Sequence, residues 1–382
     1  MIFWVMLAIL LNGIISFVYS VQTTQETTNL WAMLAVNFIF FAGITQAGIA
    51  FSVIMRLARS EWGRHFSRLG EVLTLSSLPV TVIVFIIIYI SGTDHLFYWA
   101  HPDKVHGHVS PWVGRGLFFW RNSIANVLFY ITSYLYFSAG RREEKQACPR
   151  MSEAGAHPQE DLKKRLNILA GAVCFFYVIA NTMFAWDFGM MIIPHWESSI
   201  FPVYFWSANL LAGVAFLYLI SLFFIPGKPG EPVDKETLDS MGKTLIGFVL
   251  LWVYLFWSQY IVLWYGDLPH LTGPVYRQME GHYATAFRIM LAAIFIVPFL
   301  ALILRCIKLS AKRLAVVAVV ICIGVWINKY LTILPVFSEG GTPVIATWTG
   351  ISLMLGWLAA TLLSLIIFFR LFPDVKAAPE QE

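Results

Sequence analysis

Apolar residues in this chain do not alternate with polar ones at the period of a strand or a surface helix. They run together in ten blocks, near 2–21, 30–55, 70–92, 116–139, 166–186, 199–225, 244–265, 284–307, 313–335 and 345–371. A membrane-spanning helix needs roughly 20 mostly apolar residues. Each block therefore predicts one span, and residues 1–382 read as a single all-α, polytopic membrane domain. The first block lacks a basic leader and a small-x-small cleavage site, so it reads as a retained span rather than a signal peptide.

Composition agrees. Only 13% of residues are charged, against about 25% in soluble domains. The net charge of +4 matters less than its placement. Most of the 26 lysines and arginines fall in alternate loops: Arg56 to Arg68, Arg141 to Arg165, Lys228 to Lys243, Arg305 to Arg313, and Arg370 with Lys376. The positive-inside rule makes that side cytoplasmic and puts both termini there. Two polar stretches divide the spans. RREEKQACPRMSEAGAHPQEDLKKR (141–165) reads as a flexible linker. PGKPGEPVDKETLDS (226–240) offers Asp234 or Thr237 as a cap for the next helix.

The spans are not greasy all round. Asn122, Asn126 and Tyr130 share one face of the fourth, and Asn167, Cys174 and Asn181 nearly share one on the fifth; Ser258, Gln259 and Tyr260 lie on the seventh. Polar stripes avoid lipid, so these helices pack into a bundle, by interhelical hydrogen bonds or around a proton or ligand path. Gly43, Ala47, Gly48 and Ala50 allow close approach along the second span. Of the charges at span ends, Glu71 reads as a first-turn acid facing the helix dipole, and Arg121 and Lys329 as snorkelling cations. Arg121 and Asp187 lie at similar depth and can pair.

Candidate chemistry is narrow. All nine histidines fall in loops or at span ends, so no intramembrane pair is set to ligate a b-type haem. CxxCH, P-loop and dinucleotide motifs are absent, and Cys148, Cys174, Cys306 and Cys322 form no CxxC pattern. Any electron carrier is expected on a partner. His95, His101, His106, His108, His195, His270 and His282 gather on the side away from the basic loops, with Asp94, Asp103, Asp187, Glu197, Asp267 and Glu280. Such a rim suits docking of another subunit, proton-coupled chemistry or a metal, though HxH at 106–108 fixes no third ligand.

Five segments narrow the choice: EWGRHFSRLGEVLTLSSLP (61–79), LFYWAHPD (96–103), LFFWRNSIANVLFY (117–130), WDFGMMIIPHW (186–196) and LWVYLFWSQYIVLWYGDLP (251–269). In this order they resemble the NrfD/PsrC-like integral membrane subunits, and in particular the smaller, ActF-type subunit of alternative complex III. Phe188, Ile193 and the DLPHLTGP stretch depart from that pattern.

The resemblance implies two four-helix bundles with flanking helices, in a quinol-oxidising respiratory complex of a prokaryotic inner (cytoplasmic) membrane. Its partners would be a multihaem cytochrome c, an iron–sulfur or molybdopterin-like subunit and a second NrfD-like subunit, with membrane lipid around it and no nucleic acid. Quinol or quinone is the expected substrate of the complex, and this chain is expected to bind no cofactor or metal. Proton-path or quinone-site candidates are Asp187, His195, His101, Arg121, Gln259 and Asp267. A secondary transporter and a purely structural scaffold are the competing readings.

Overall fold

The computed structural model describes residues 2–24, 27–101, 112–147, 157–194, 196–224, 234–338 and 347–372. Among them the regular elements are all helical. The long helices are α1 (Ile2–Thr23), α2 (Thr28–Leu57), α3 (Arg64–Ile87), α4 (Arg115–Ala147), α5 (His157–Ala185), α6 (Phe201–Phe224) and α7 (Lys235–Gly266). A shorter α8 (Pro269–Met279) precedes α9 (Ala284–Leu291), which runs on through a π turn at Ala292–Ile296 into Val297–Ile303. α10 (Ala311–Phe337) and α11 (Trp348–Leu371) complete the set. The protein is a multi-pass, all-α membrane protein.

Nine of the described helices are long and apolar enough to cross a membrane. The tenth expected span, α4, is not among them, because Arg121, Asn122 and Asn126 dilute its apolarity. Its contacts nevertheless cover the depth of its neighbours. Arg121 meets the far end of α5, and Glu143 meets Arg56 at the other end of α2.

α2 to α5 form one four-helix bundle, and α6, α7, α9 and α10 form a second. α2 is the shared wall. It is buried along nearly its whole length and packs on both α6 and α10. α1 pairs with α11, and α11 leans on α3 and α2. Bare backbone makes a close crossing: a Cβ on Gly48 would stand 2.5 Å from the Gly70 carbonyl, so α2 and α3 come this near there only because both residues are glycine. Beside it, the Thr74 hydroxyl donates to Thr45 O (2.6 Å) and accepts from Ile49 N (2.9 Å), a side chain spliced into the α2 ladder.

Three sequence expectations change. Glu71 is not a first-turn acid: α3 starts at Arg64, which carries Glu71 two turns deep, where it is 7% exposed. Lys329 does not snorkel. It is fully buried, its Nζ donating to Phe205 O (3.0 Å) and lying 3.2 Å from the Phe205 ring centre. Its amine is held on Phe205 of α6 inside the protein, not at a headgroup. Cys306 leaves its span, because the helix ends at Ile303, and it is exposed in the short turn Arg305–Lys308. Asp234 is the cap foreseen for α7, accepting from the amides of Glu236 (3.1 Å) and Thr237 (3.2 Å).

Candidate functional site

The last turn of α5 widens into a π turn, Trp186–Met190. Such turns re-aim side chains and recur at functional sites. This one packs Gly189 against the Phe201 ring and turns Asp187 into the bundle, where it is 1% exposed. Arg121 from α4 meets it as a fork: Nε donates to Oδ2 at 2.9 Å and Nη2 to Oδ1. Asn122, the next residue of α4, donates to Oδ2 at 2.5 Å. Arg121 is fixed in turn by Trp112, donating to its carbonyl (2.6 Å) and lying 5.2 Å from its ring centre. A buried carboxylate needs such a charged, hydrogen-bonded partner to offset desolvation.

A chain of amides leads inward from this pair. Asn126 Nδ2 donates to the Asn122 carbonyl (2.9 Å), and Gln46 of α2 donates to Asn126 Oδ1 (2.9 Å). Asn181 of α5 donates to Gln46 Oε1 (3.1 Å), and Asn209 of α6 donates to Asn181 Oδ1 (2.8 Å). Asn209 fits because Gly43 faces it without a Cβ. The polar faces of α4 and α5 therefore meet on Gln46 and continue into the second bundle. Asn167, at the other end of α5, stands apart and accepts from Arg56 Nε (3.2 Å).

The face carrying the basic loops, here the basic face, holds a second buried acid. Glu71 accepts from Ser52 Oγ (2.7 Å) and from Arg68 Nη1 (2.9 Å). The Tyr136 hydroxyl lies 3.4 Å from Ser52 Oγ. Arg68 also pairs with Glu144, and Arg56 forks onto Glu143 at 2.9 and 3.1 Å. The sequence held one signal for this cluster, the Arg68–Glu71 spacing of three. Ser52, Tyr136 and Glu144 come from other helices, and only the packing unites them.

A cavity of about 860 Å³ lies between α3 and α4. Asn122, Asn126, Tyr130 and Thr81 put polar groups on its wall, and Phe38 and Phe184 back it. Exposed Val82, Ile86, Val127 and Ile131 also line it, so it opens sideways between the two helices. Asn122 Oδ1 is buried without a hydrogen-bond partner among the described residues.

The other expected site residues go elsewhere. Gln259 accepts from Ser198 Oγ (2.7 Å) in the second bundle and does not reach Asp187. The reason is placement: α7 packs on α6 and α9, in the bundle that does not contain α4. His101 Nε2 lies 2.5 Å from the Asp94 carbonyl, fixing the loop after α3. Asp267 is the exposed, left-handed C-cap of α7. His195 lies outside the described residues, as do His106, His108 and Asp103.

A family model, polysulphide reductase NrfD, matches residues 21–338. That is most of the chain, and the protein belongs to the NrfD family, the integral membrane subunits of redox complexes. The match takes in both bundles, the Asp187 site and the cavity apart from its Phe368 and Phe372 wall. α11 and nearly all of α1, the flanking pair, lie outside it. No curated protein matches the chain.

Proposed function

We propose that the protein is the membrane subunit of a quinol-oxidising respiratory complex of the alternative complex III kind. In this reading it handles quinol and the protons released from it. Redox centres stay on partners: a multihaem cytochrome c, an iron–sulfur subunit and a second NrfD-like subunit. The observation that carries the reading is the contact between the cavity and the amide chain. Asn122 lines a cavity open between two spans, keeps one amide oxygen unpartnered, and donates to the buried Asp187. A quinol hydroxyl entering sideways would meet the Asn122 amide, whose Oδ1 lies buried behind the cavity wall with no partner among the described residues. Asp187 would stand one residue behind it to take the proton.

Family membership supports this reading over a transporter, because the family's members serve redox complexes. The positive-inside argument supports a cytoplasmic basic face, with Asp187 toward the other side. A cysteine placed at Glu160 tests the orientation. It should resist impermeant labelling from outside intact cells, and efficient labelling would reverse the assignment.

The site is tested in the assembled complex. Asp187→Asn should lower quinol-driven turnover and change its pH profile, while Asp187→Glu, which still titrates, restores part of both. Asn122→Leu should raise the apparent KM for quinol more than it lowers kcat. Turnover and proton release unchanged by Asp187→Asn from about pH 5 to 9 would remove the proton role.

A further inference from the structure

The cavity does not stop at the amide chain. It follows α4 from Asn122 to Arg141 and Arg142, roughly 28 Å of helix and close to the ~30 Å thickness of a bilayer's hydrocarbon core. Its half toward the basic face is walled by Leu75, Tyr134, Leu135, Phe137, Phe368 and Phe372. These aromatics are packed in place: Phe137 meets Phe368 edge-on at 6.4 Å, and Phe368 lies 4.9 Å from Phe372. The wall offers no hydrogen-bonding group other than the Tyr134 and Ser138 hydroxyls until the two arginines are reached.

Those arginines differ from their neighbours. Arg56 is matched by Glu143, and Arg68 by Glu71 and Glu144. Among the described residues neither Arg141 nor Arg142 has a carboxylate at ion-pair distance. Two adjacent guanidiniums thus sit at headgroup level, unmatched, at the end of an apolar slot.

We propose that this half of the groove binds an anionic phospholipid. The phosphate sits between Arg141 and Arg142, and an acyl chain lies along Tyr134, Phe137 and Phe368. Basic pockets between spans on the cytoplasmic side recognise such headgroups. Guanidiniums suit phosphate because their planar fork donates two parallel hydrogen bonds. A quinone's isoprenoid tail would fill the slot but leave both charges idle. A partner helix would need an acid placed at this depth. The lipid answers both halves of the slot at once. This site is separate from the quinol reading, which concerns the other end of the cavity.

The test uses the full chain, purified with its complex in mild detergent, and mass spectrometry of the co-purifying phospholipids. The parent should retain an anionic phospholipid through delipidating washes, and R141Q/R142Q should lose it while its zwitterionic lipid is unchanged. In vesicles of phosphatidylcholine with a photoreactive phosphatidylglycerol, label should enter α4 and the end of α11. The double variant should label roughly thirty-fold more weakly at limiting probe, the combined weight of two arginines near an anionic headgroup. Ser138→Phe narrows the same end without touching charge and should also reduce labelling. Equal retention and labelling in the parent and R141Q/R142Q would overturn the proposal. So would a cross-link from Tyr134 to another subunit's helix in the intact complex.

Discussion

Asp187 and Glu71 are buried acids at opposite ends of one four-helix bundle, and each is bound by an arginine and one neutral donor. Arg121 and Asn122 serve Asp187; Arg68 and Ser52 serve Glu71. Between them lie Asn126, Gln46 and the Tyr130 hydroxyl, which is buried beside Thr81, Gln46 and Ser77. Gln46 and Ser52 both belong to α2, separated by roughly 9 Å of helix. The first bundle thus carries polar groups at both ends and near its middle, set among an apolar core that includes Ile49, Val53 and Phe129.

The Arg121–Asp187 pair is buried, so its two halves should be strongly coupled. Arg121→Leu alone strands a carboxylate and should destabilise the full chain in detergent by about 3–5 kcal/mol. Adding Asp187→Leu should recover most of that loss, because a buried pair replaced by apolar groups is often nearly neutral. Thermal unfolding of both single variants and the double variant gives the coupling. A coupling under about 1 kcal/mol, the value of an exposed pair, would show the site to be wet.

Glu71 should matter to proton movement rather than to assembly. Glu71→Gln keeps an oxygen for Ser52 and a similar shape, but it cannot titrate. In the assembled complex we expect normal subunit content and slower proton exchange with the basic side during quinol turnover. A complex with unchanged proton stoichiometry and rate would make Glu71 a structural partner of Arg68 only.

The spans were legible because hydrocarbon admits only helices of a set length; their grouping into two bundles with flanking helices came from the family resemblance, since hydropathy carries no pairing. The Arg121–Asp187 contact was legible because both residues sit at the same end of neighbouring spans. The stripe of Asn122, Asn126 and Tyr130 was legible from spacing. Its partner Gln46 was not, since a lone glutamine in α2 has no period. Glu71 was misread because α3 begins at Arg64, earlier than hydropathy suggests. Gln259 lies in the other bundle from Asp187, which the sequence could not show because depth is readable from it and azimuth is not. Lys329 was misread for the same reason: a lysine near a span end snorkels only when its helix turns it toward lipid.

Lys329 has no acidic partner among the described residues, only the Phe205 carbonyl and ring. Lys329→Met keeps the stem and removes the desolvated amine, so stability should hold or rise. Lys329→Ala opens a void between α6 and α10 and should cost about 2–4 kcal/mol. Thermal melts of the purified chain separate the two. A Met variant as damaged as the Ala variant would mean the amine itself, not its stem, holds the helices.

Asp234 gives a pH-dependent contribution whose sign is fixed by geometry. It lies just outside the membrane-spanning part of α7 and caps that helix. A side-chain hydrogen bond with Thr237, together with the Thr237 and Glu236 amides, holds its carboxyl below the usual carboxylate range. A group whose folded-state pKa is depressed stabilises the fold above its ordinary pKa, near 3.9, and loses that contribution as pH falls through the lower folded value. The cap should therefore work fully at neutral pH and fade in strong acid. Asp234→Ala should cost about 1 kcal/mol at pH 7, with the gap to the parent closing in strong acid. Asp234→Asn also caps but cannot titrate, so it should keep its neutral-pH stability and lack that acid-dependent loss. Melting curves of the three proteins from about pH 1 to 7 check this. An Ala penalty that stays constant down to the acid end would show that Asp234 acts without its charge.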